Sequence, residues 1–90
     1  MQEHGARLAM TRRDKRLAAI RRNPKAVRFD DACVAAESIG FCWKGGEGSH
    51  RVYAKENEPV ILNFQNRQGL LAEYQAKQLI ALLDKYREET

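Results

Sequence analysis

Apolar residues recur at intervals of three and four positions in three stretches of the chain, which is the spacing of an amphipathic helix. We therefore expect helices over about residues 11–22, 29–38 and 74–87. Asn23-Pro24 would end the first helix, because a residue before proline disfavours the helical conformation. The expected core-facing positions of the three helices, in chain order, are Leu17, Ala18 and Ile20; Phe29, Cys33, Ala36 and Ile39; and Ala76, Leu79, Ile80, Leu83 and Tyr86.

Short apolar runs, separated by glycines and polar turns, lie between the second and third helical stretches. They predict strands over about residues 41–44, 50–55 and 60–64. One face of the last strand would carry Val60, Leu62 and Phe64. This order of elements predicts an α+β fold, in which two helices cover one face of a three-stranded antiparallel sheet and an extra helix precedes them. The other face of the sheet would be open to a ligand or a partner.

Charge is unevenly distributed along this chain of 90 residues, whose length suffices for one domain with a modest core. Residues 1–29 carry nine lysines and arginines against two acids, whereas residues 30–90 carry seven against ten. We therefore divide the chain into a basic N-terminal arm, 1–25, and a domain, 26–90. Such an arm would attract a polyanion by counterion release. Alternatively, it is a solvated helix without a ligand, or it docks on the domain through its apolar stripe.

The sequence gives little support for a metal, a disulfide or a membrane. Two cysteines and two histidines show no ligand spacing, so we expect no metal and no cofactor, and we expect Cys33 in the core. No stretch approaches the roughly 20 apolar residues of a membrane span. Residues 1–10 lack the apolar run of a signal peptide and are expected to have no regular structure. We therefore expect a cytoplasmic protein.

A glycine-rich segment, residues 45–50, joins the first two predicted strands. Its three glycines permit a tight bend and a close approach to a ligand. The segment delivers His50 to the start of a strand, and histidine is the side chain whose ordinary pKa lies nearest to physiological pH. His50 is thus a candidate catalytic residue. The alternative is a turn residue whose imidazole bonds a backbone carbonyl.

The motif Gly48-Ser49-His50-Arg51-Val52-Tyr53, in the order helix, strand, Gly-Ser-His, strand, strand, helix, resembles the HicA family of toxins from bacterial and archaeal toxin–antitoxin systems. The resemblance covers about residues 27–87. It implies a double-stranded-RNA-binding-domain-like fold, cleavage of mRNA that blocks translation, and a HicB-like antitoxin as protein partner. It also implies that His50, the histidine after Gly-Ser, is required for activity.

RNA can be cut without a metal when a base takes the proton of the ribose 2′-OH and that oxygen attacks the adjacent phosphate. An acid then protonates the leaving 5′ oxygen, and His50 is the candidate for the base or the acid. Lys44 and Arg51 are the nearest charges in the sequence that would stabilise the transition state. Gly48 and Ser49 would offer backbone N–H groups, and Ser49 a hydroxyl, to phosphate oxygens.

Strand alternation divides the middle strand into two sets, His50, Val52 and Ala54 on one face and Arg51, Tyr53 and Lys55 on the other. If Val52 faces the helices, Arg51 projects from the open face and His50 acts from the end of the strand. Tyr53 and Trp43 are aromatic residues that would stack on bases. For Trp43 the competing interpretation is a core position or a contact with the antitoxin.

Two features depart from the family pattern. Arg51 stands where many members have a second histidine, and residues 63–69 carry a single charge where many members are rich in lysine. The basic arm would then supply the missing positive surface. A non-catalytic RNA-binding or antitoxin-binding module of the same fold is the alternative function, and a domain whose arm binds a protein or ribosomal surface is a third.

Overall fold

This computed structural model describes residues 11–86 of the chain. The expected α+β class is confirmed. The expectation of an irregular stretch at 1–10 and the predicted helix end at Arg87 lie outside the described residues. The elements are α1 (Arg12–Arg22), a short 3-10 helix (Pro24–Ala26), α2 (Phe29–Ser38), β1 (Cys42–Gly45), β2 (His50–Ala54), β3 (Leu62–Gln65) and α3 (Glu73–Lys85).

The sheet is a meander with strand order β1-β2-β3 and two antiparallel pairs, as predicted. Tyr53 of β2 lies between Trp43 of β1 and Leu62 of β3. At the other end of β2, His50 lies opposite Gln65 of β3. Directly opposed residues point to the same side of a sheet, so this register decides which side chains share a face.

One face of the sheet packs on the helices and the other face is open. Tyr53, Leu62 and Phe64 are completely buried on the helix side, whereas His50 and Asn63 are exposed on the other. All three helices contribute to the buried core, with Ile20 from α1, Ala32, Cys33, Ala35 and Ala36 from α2, and Ala76, Leu79, Leu82 and Leu83 from α3. The open face is therefore the one that carries His50.

Helix α1 is packed on the domain rather than separate from it. It begins with a capping box, in which the Thr11 hydroxyl accepts the Asp14 amide at 3.0 Å and the Asp14 carboxylate accepts the Thr11 amide at 3.2 Å. Ile20 is 2% exposed and Leu17 packs against the same core. The apolar stripe of the arm thus docks on the other two helices.

Two arginines of α1 form ion pairs with acids of the neighbouring helices. Arg16 Nε lies 3.4 Å from Asp31 Oδ1 of α2, and Arg21 pairs with Asp84 of α3. These four side chains are partly exposed, so the pairs orient α1 more than they stabilise it. Part of the basic arm is therefore engaged within the fold, while its division from the rest of the chain at residue 25 stays a prediction.

The outer edge of β3 is closed by a side-chain amide. Gln75 of α3 is 7% exposed, and its Nε2 donates to the Asn63 carbonyl at 2.5 Å. Its Oε1 accepts the Gln65 amide at 3.3 Å. A further strand would use the same two backbone groups, so Gln75 blocks strand addition at this edge. The sheet's other edge strand is β1.

A buried carboxylate joins the β2–β3 connection to the end of α3. The Glu58 side chain is 1% exposed and accepts from the Lys85 ammonium at 2.7 Å, from the Val60 amide at 2.8 Å and from the Tyr86 hydroxyl. These partners, Lys85 first, favour the ionised carboxylate and lower the pKa of Glu58 from 4.5 to about 2. Glu58 should therefore stabilise the fold only while it is ionised.

Replacing Glu58 by glutamine is expected to lower the melting temperature at neutral pH, because the charge-assisted hydrogen bonds are lost. A depressed pKa in the folded state gives stability that is full above the unfolded value, 4.5, and is lost as the pH falls toward about 2. The gap in melting temperature between the two proteins should therefore narrow across that range. Thermal melts in a pH series measure it, with the exposed Glu56→Gln as the matched control. A gap that stays constant would contradict this role of Glu58.

Candidate functional site

His50 is the first residue of β2 and is exposed on the open face of the sheet. Its backbone amide donates to the Glu47 carbonyl at 3.0 Å, which closes the glycine-rich turn. It shares its face with Val52 of the same strand and lies opposite Gln65. The imidazole is thus held at the end of the open face, where a ligand can reach it.

Gly46 packs directly on the backbone of the strand that carries the histidine. Its φ is +119°, and a Cβ at this position would lie 2.4 Å from the His50 carbonyl oxygen and 3.1 Å from Arg51 Cα. Both contacts are with backbone, which cannot move aside without shifting the strand. Glycine is therefore required here for the close approach of two chain segments. Gly48, with φ of +61°, is exposed in the turn and has open space around it.

The segment after β3 lies beside the Gly-Ser-His turn. The Asn66 amide donates to the Ser49 carbonyl at 2.8 Å, and the Asn66 side chain accepts the Gly69 amide at 2.6 Å. Arg67 Nε lies 3.4 Å from Gln65 Oε1, the residue opposite His50. Arg67 is thus a cation at the same end of the sheet as the histidine.

Sequence reasoning did not assign a role to Arg67, because it lies seventeen positions from His50 in the chain. The pairing of β2 with β3 brings Arg67 to the same end of the sheet as His50. That pairing can be predicted only when the buried face of each strand is known. Arg28 is a second cation near this end of the sheet, because Arg28 and Arg67 both form backbone bridges with Leu70. The Phe29 amide also donates to the Gly69 carbonyl at 2.9 Å.

Lys44 belongs to β1, on the other side of β2 from residues 66–70, and it lies at a β-bulge. The register between β1 and β2 shifts between Trp43 and Gly45, so Lys44 is the extra residue on β1. Gly45 lies opposite Val52, a residue of the open face. Lys44 is exposed, and its role in binding phosphate stays a prediction.

The prediction for the face of Arg51 depended on Val52 facing the helices, and the structure has the opposite arrangement. Arg51 shares the helix-facing side of β2 with the buried Tyr53. Its guanidinium carbon lies 5.6 Å from the ring centre of Phe29 and 4.5 Å from that of Trp43. Arg51 and His50 therefore occupy opposite faces, and Arg51 is not on the open face with the histidine.

Tyr53 was predicted to bind RNA by stacking, and its burial makes this prediction wrong. The residue is 0% exposed, and its hydroxyl donates to Glu37 Oε2 at 2.7 Å. Burial, followed by the hydrogen bond to Glu37, raises the pKa of Tyr53. The ring is packed 5.8 Å from that of Phe64 and has no surface left for a base. Trp43, by contrast, is 57% exposed at the edge of the sheet.

Among residues 11–86, no group of three or more histidines, cysteines, aspartates or glutamates lies close enough together to hold a metal ion. None of the helices in this described part is long and apolar enough to cross a membrane. Comparisons with protein families, with curated proteins and with solved structures find no match to this chain.

Proposed function

We propose that the protein is a HicA-like endoribonuclease that cleaves mRNA and blocks translation, with a HicB-like antitoxin as its inhibitor. Its fold is proposed to be of the double-stranded-RNA-binding-domain type. The observation that carries the proposal is an exposed imidazole, His50, at the end of an open sheet face, with the cations Arg67 and Lys44 at the same end. A proton-transfer group beside positive charge suits phosphodiester cleavage.

Each group would have a distinct role in the reaction. His50 would take the proton of the ribose 2′-OH or protonate the leaving 5′ oxygen, and the 2′ oxygen would form the new bond to phosphorus. Arg67 and Lys44 would stabilise the additional negative charge on the phosphate oxygens. Gly48 and Ser49, exposed in the turn before the histidine, would donate hydrogen bonds to the same phosphate.

The alternative is a non-catalytic RNA-binding or antitoxin-binding module. The observation that favours it is the excess of three acids over bases in residues 30–90, which leaves the sheet domain with little general attraction for RNA. Under this alternative the protein binds a partner through the same open face, and the identity of residue 50 affects binding but no reaction.

Cleavage of single-stranded RNA by the purified protein is expected to continue in EDTA and to leave 2′,3′-cyclic phosphate ends. The physical reason is that internal attack by the 2′ oxygen needs proton transfer and positive charge, both of which protein side chains can supply. Analysis of product ends after incubation with and without EDTA measures this. A strict requirement for magnesium would contradict the mechanism, and intact RNA under all conditions would favour the non-catalytic alternative.

A further inference from the structure

We propose that the indole of Trp43, resting on the guanidinium of Arg51, is a stacking platform for a base of single-stranded RNA. The proposal rests on the proposed function for the class of its ligand. It does not depend on cleavage, because a platform would bind RNA in the non-catalytic alternative as well.

The indole is exposed, yet its position is fixed. Trp43 is 57% exposed, and its Nε1 donates to the Gly45 carbonyl at 2.8 Å. This bond holds the ring along the edge strand β1 and points it toward the glycine-rich loop. A ring that is already ordered loses little conformational entropy when a ligand stacks on it.

The guanidinium of Arg51 lies near both the indole of Trp43 and the ring of Phe29. The Arg51 guanidinium carbon lies 4.5 Å from the centre of the Trp43 ring and 5.6 Å from that of Phe29, within the range of cation–π contacts. Phe29 is 5% exposed and belongs to the core, so the stack is anchored in the fold. One face of the indole is therefore covered by a cation, and the opposite face is available to a flat, electron-rich ligand.

The platform lies on the edge strand β1, on the side of the sheet that carries Arg51 and Tyr53, whereas His50 is on the open face. Trp43 is opposite Tyr53, and His50 precedes Tyr53 by three residues on the same strand, about 10 Å at the usual strand rise. The indole extends toward Gly45, the first residue of the loop that ends at His50. Because β1 is an edge strand, an RNA strand that contacts both positions would pass around this edge, where Lys44 is exposed.

A base fits this platform better than a general polyanion does. Residues 30–90 carry more acids than bases, so electrostatic attraction alone gives this part of the chain little affinity for RNA. Stacking on an aromatic ring adds affinity that depends on the base and not on net charge, and every base offers a π-face. A protein segment on the β1 edge is the competing occupant, and the experiment below separates the two.

Trp43 is the only tryptophan of the chain, so its fluorescence reports on the platform directly. We would titrate an oligouridylate into the full-length His50→Ala protein, which leaves the RNA uncut, and polyphosphate into a parallel sample. Stacking of a base should quench the emission, whereas polyphosphate, a polyanion without bases, should not. Equal quenching by both polymers, or no quenching by the oligouridylate, overturns the platform and leaves a protein segment as the candidate occupant.

Variants then test whether stacking contributes to affinity. In the same His50→Ala background, Trp43→Leu should weaken binding of a labelled oligouridylate by roughly 5- to 150-fold, and Trp43→Phe should keep most of the affinity. Tyr74→Leu, at a residue 67% exposed on α3, is the matched control for loss of an exposed aromatic ring and should bind normally. Normal binding by Trp43→Leu, with the melting temperature unchanged, overturns the proposal. If the oligouridylate quenches the emission but the wild type cleaves no RNA, the nuclease proposal is wrong and the platform proposal stands. If the wild type cleaves RNA but no quenching occurs, the platform proposal is wrong and the nuclease proposal stands.

Discussion

Replacement of His50 by alanine is expected to lower the rate of RNA cleavage by roughly 10²- to 10⁴-fold, the contribution of a positioned general acid or base. His50 is exposed at the start of β2, so the change removes no core contact and the melting temperature should stay close to that of the wild type. Cleavage of a labelled single-stranded RNA, measured with purified proteins, tests the rate. In cells, the wild type should arrest growth and His50→Ala should not.

The matched control for this experiment is Asn63→Ala, an exposed residue of the same open face that is one strand away from His50. Its cleavage rate should stay near that of the wild type. Equal rates for His50→Ala and the wild type would remove His50 from the mechanism. Arg67→Gln is informative beside them, since the loss of a cation near the phosphate should reduce the rate while leaving its dependence on pH unchanged.

Replacement of Ile20 by alanine is expected to destabilise the fold by about 2–5 kcal/mol, the usual cost of truncating a buried aliphatic side chain. Ile20 is 2% exposed and connects α1 to the core formed by the sheet and the other helices. A loss of this size is a large part of the stability of an ordinary small domain. Denaturant unfolding of the full chain measures it, and RNA affinity measured well below the transition should be unchanged.

The exposed charges of α1 can be tested separately from its apolar contacts with the core. Arg12 and Lys15 are exposed on α1, so their joint replacement by glutamine should leave stability unchanged. If both bind phosphates of single-stranded RNA, the slope of log affinity against log salt should become shallower by about 0.7 for each charge. A loss of stability with an unchanged slope would mean that this face of α1 is structural and does not bind RNA.

Local sequence signals were sufficient for most of the helices and strands. The helix over residues 29–38 has the predicted bounds, because its apolar spacing and the following glycine are local features. The third strand was predicted from residue 60 but begins at Leu62. The Val60 amide donates to the Glu58 carboxylate, two residues earlier, at 2.8 Å instead of to a neighbouring strand. Long-range contacts hold that carboxylate in place, since Lys85 and Tyr86 both donate to it.

The candidate site was predictable only in part. The sequence identified His50 and the glycine-rich turn, because a histidine after closely spaced glycines is visible in the chain itself. It did not indicate which glycine is needed for packing, and the structure assigns that role to Gly46 through its contact with the His50 backbone. It also left Arg67 without a role, because only strand pairing brings residue 67 beside residue 50.

By itself, the sequence determined the order of the elements, the α+β class and the two alternating sets of side chains on β2, all of which depend on neighbours a few positions apart. The tertiary structure decided which of those two sets is covered. Tyr53 is buried with Leu62 and Phe64 against the helices, which turns Arg51 to the same side and His50 to the open face. Alternation along a strand shows which residues share a face but not which of the two faces is buried. The buried face is decided only when the strands pair and one side of the sheet packs on the helices.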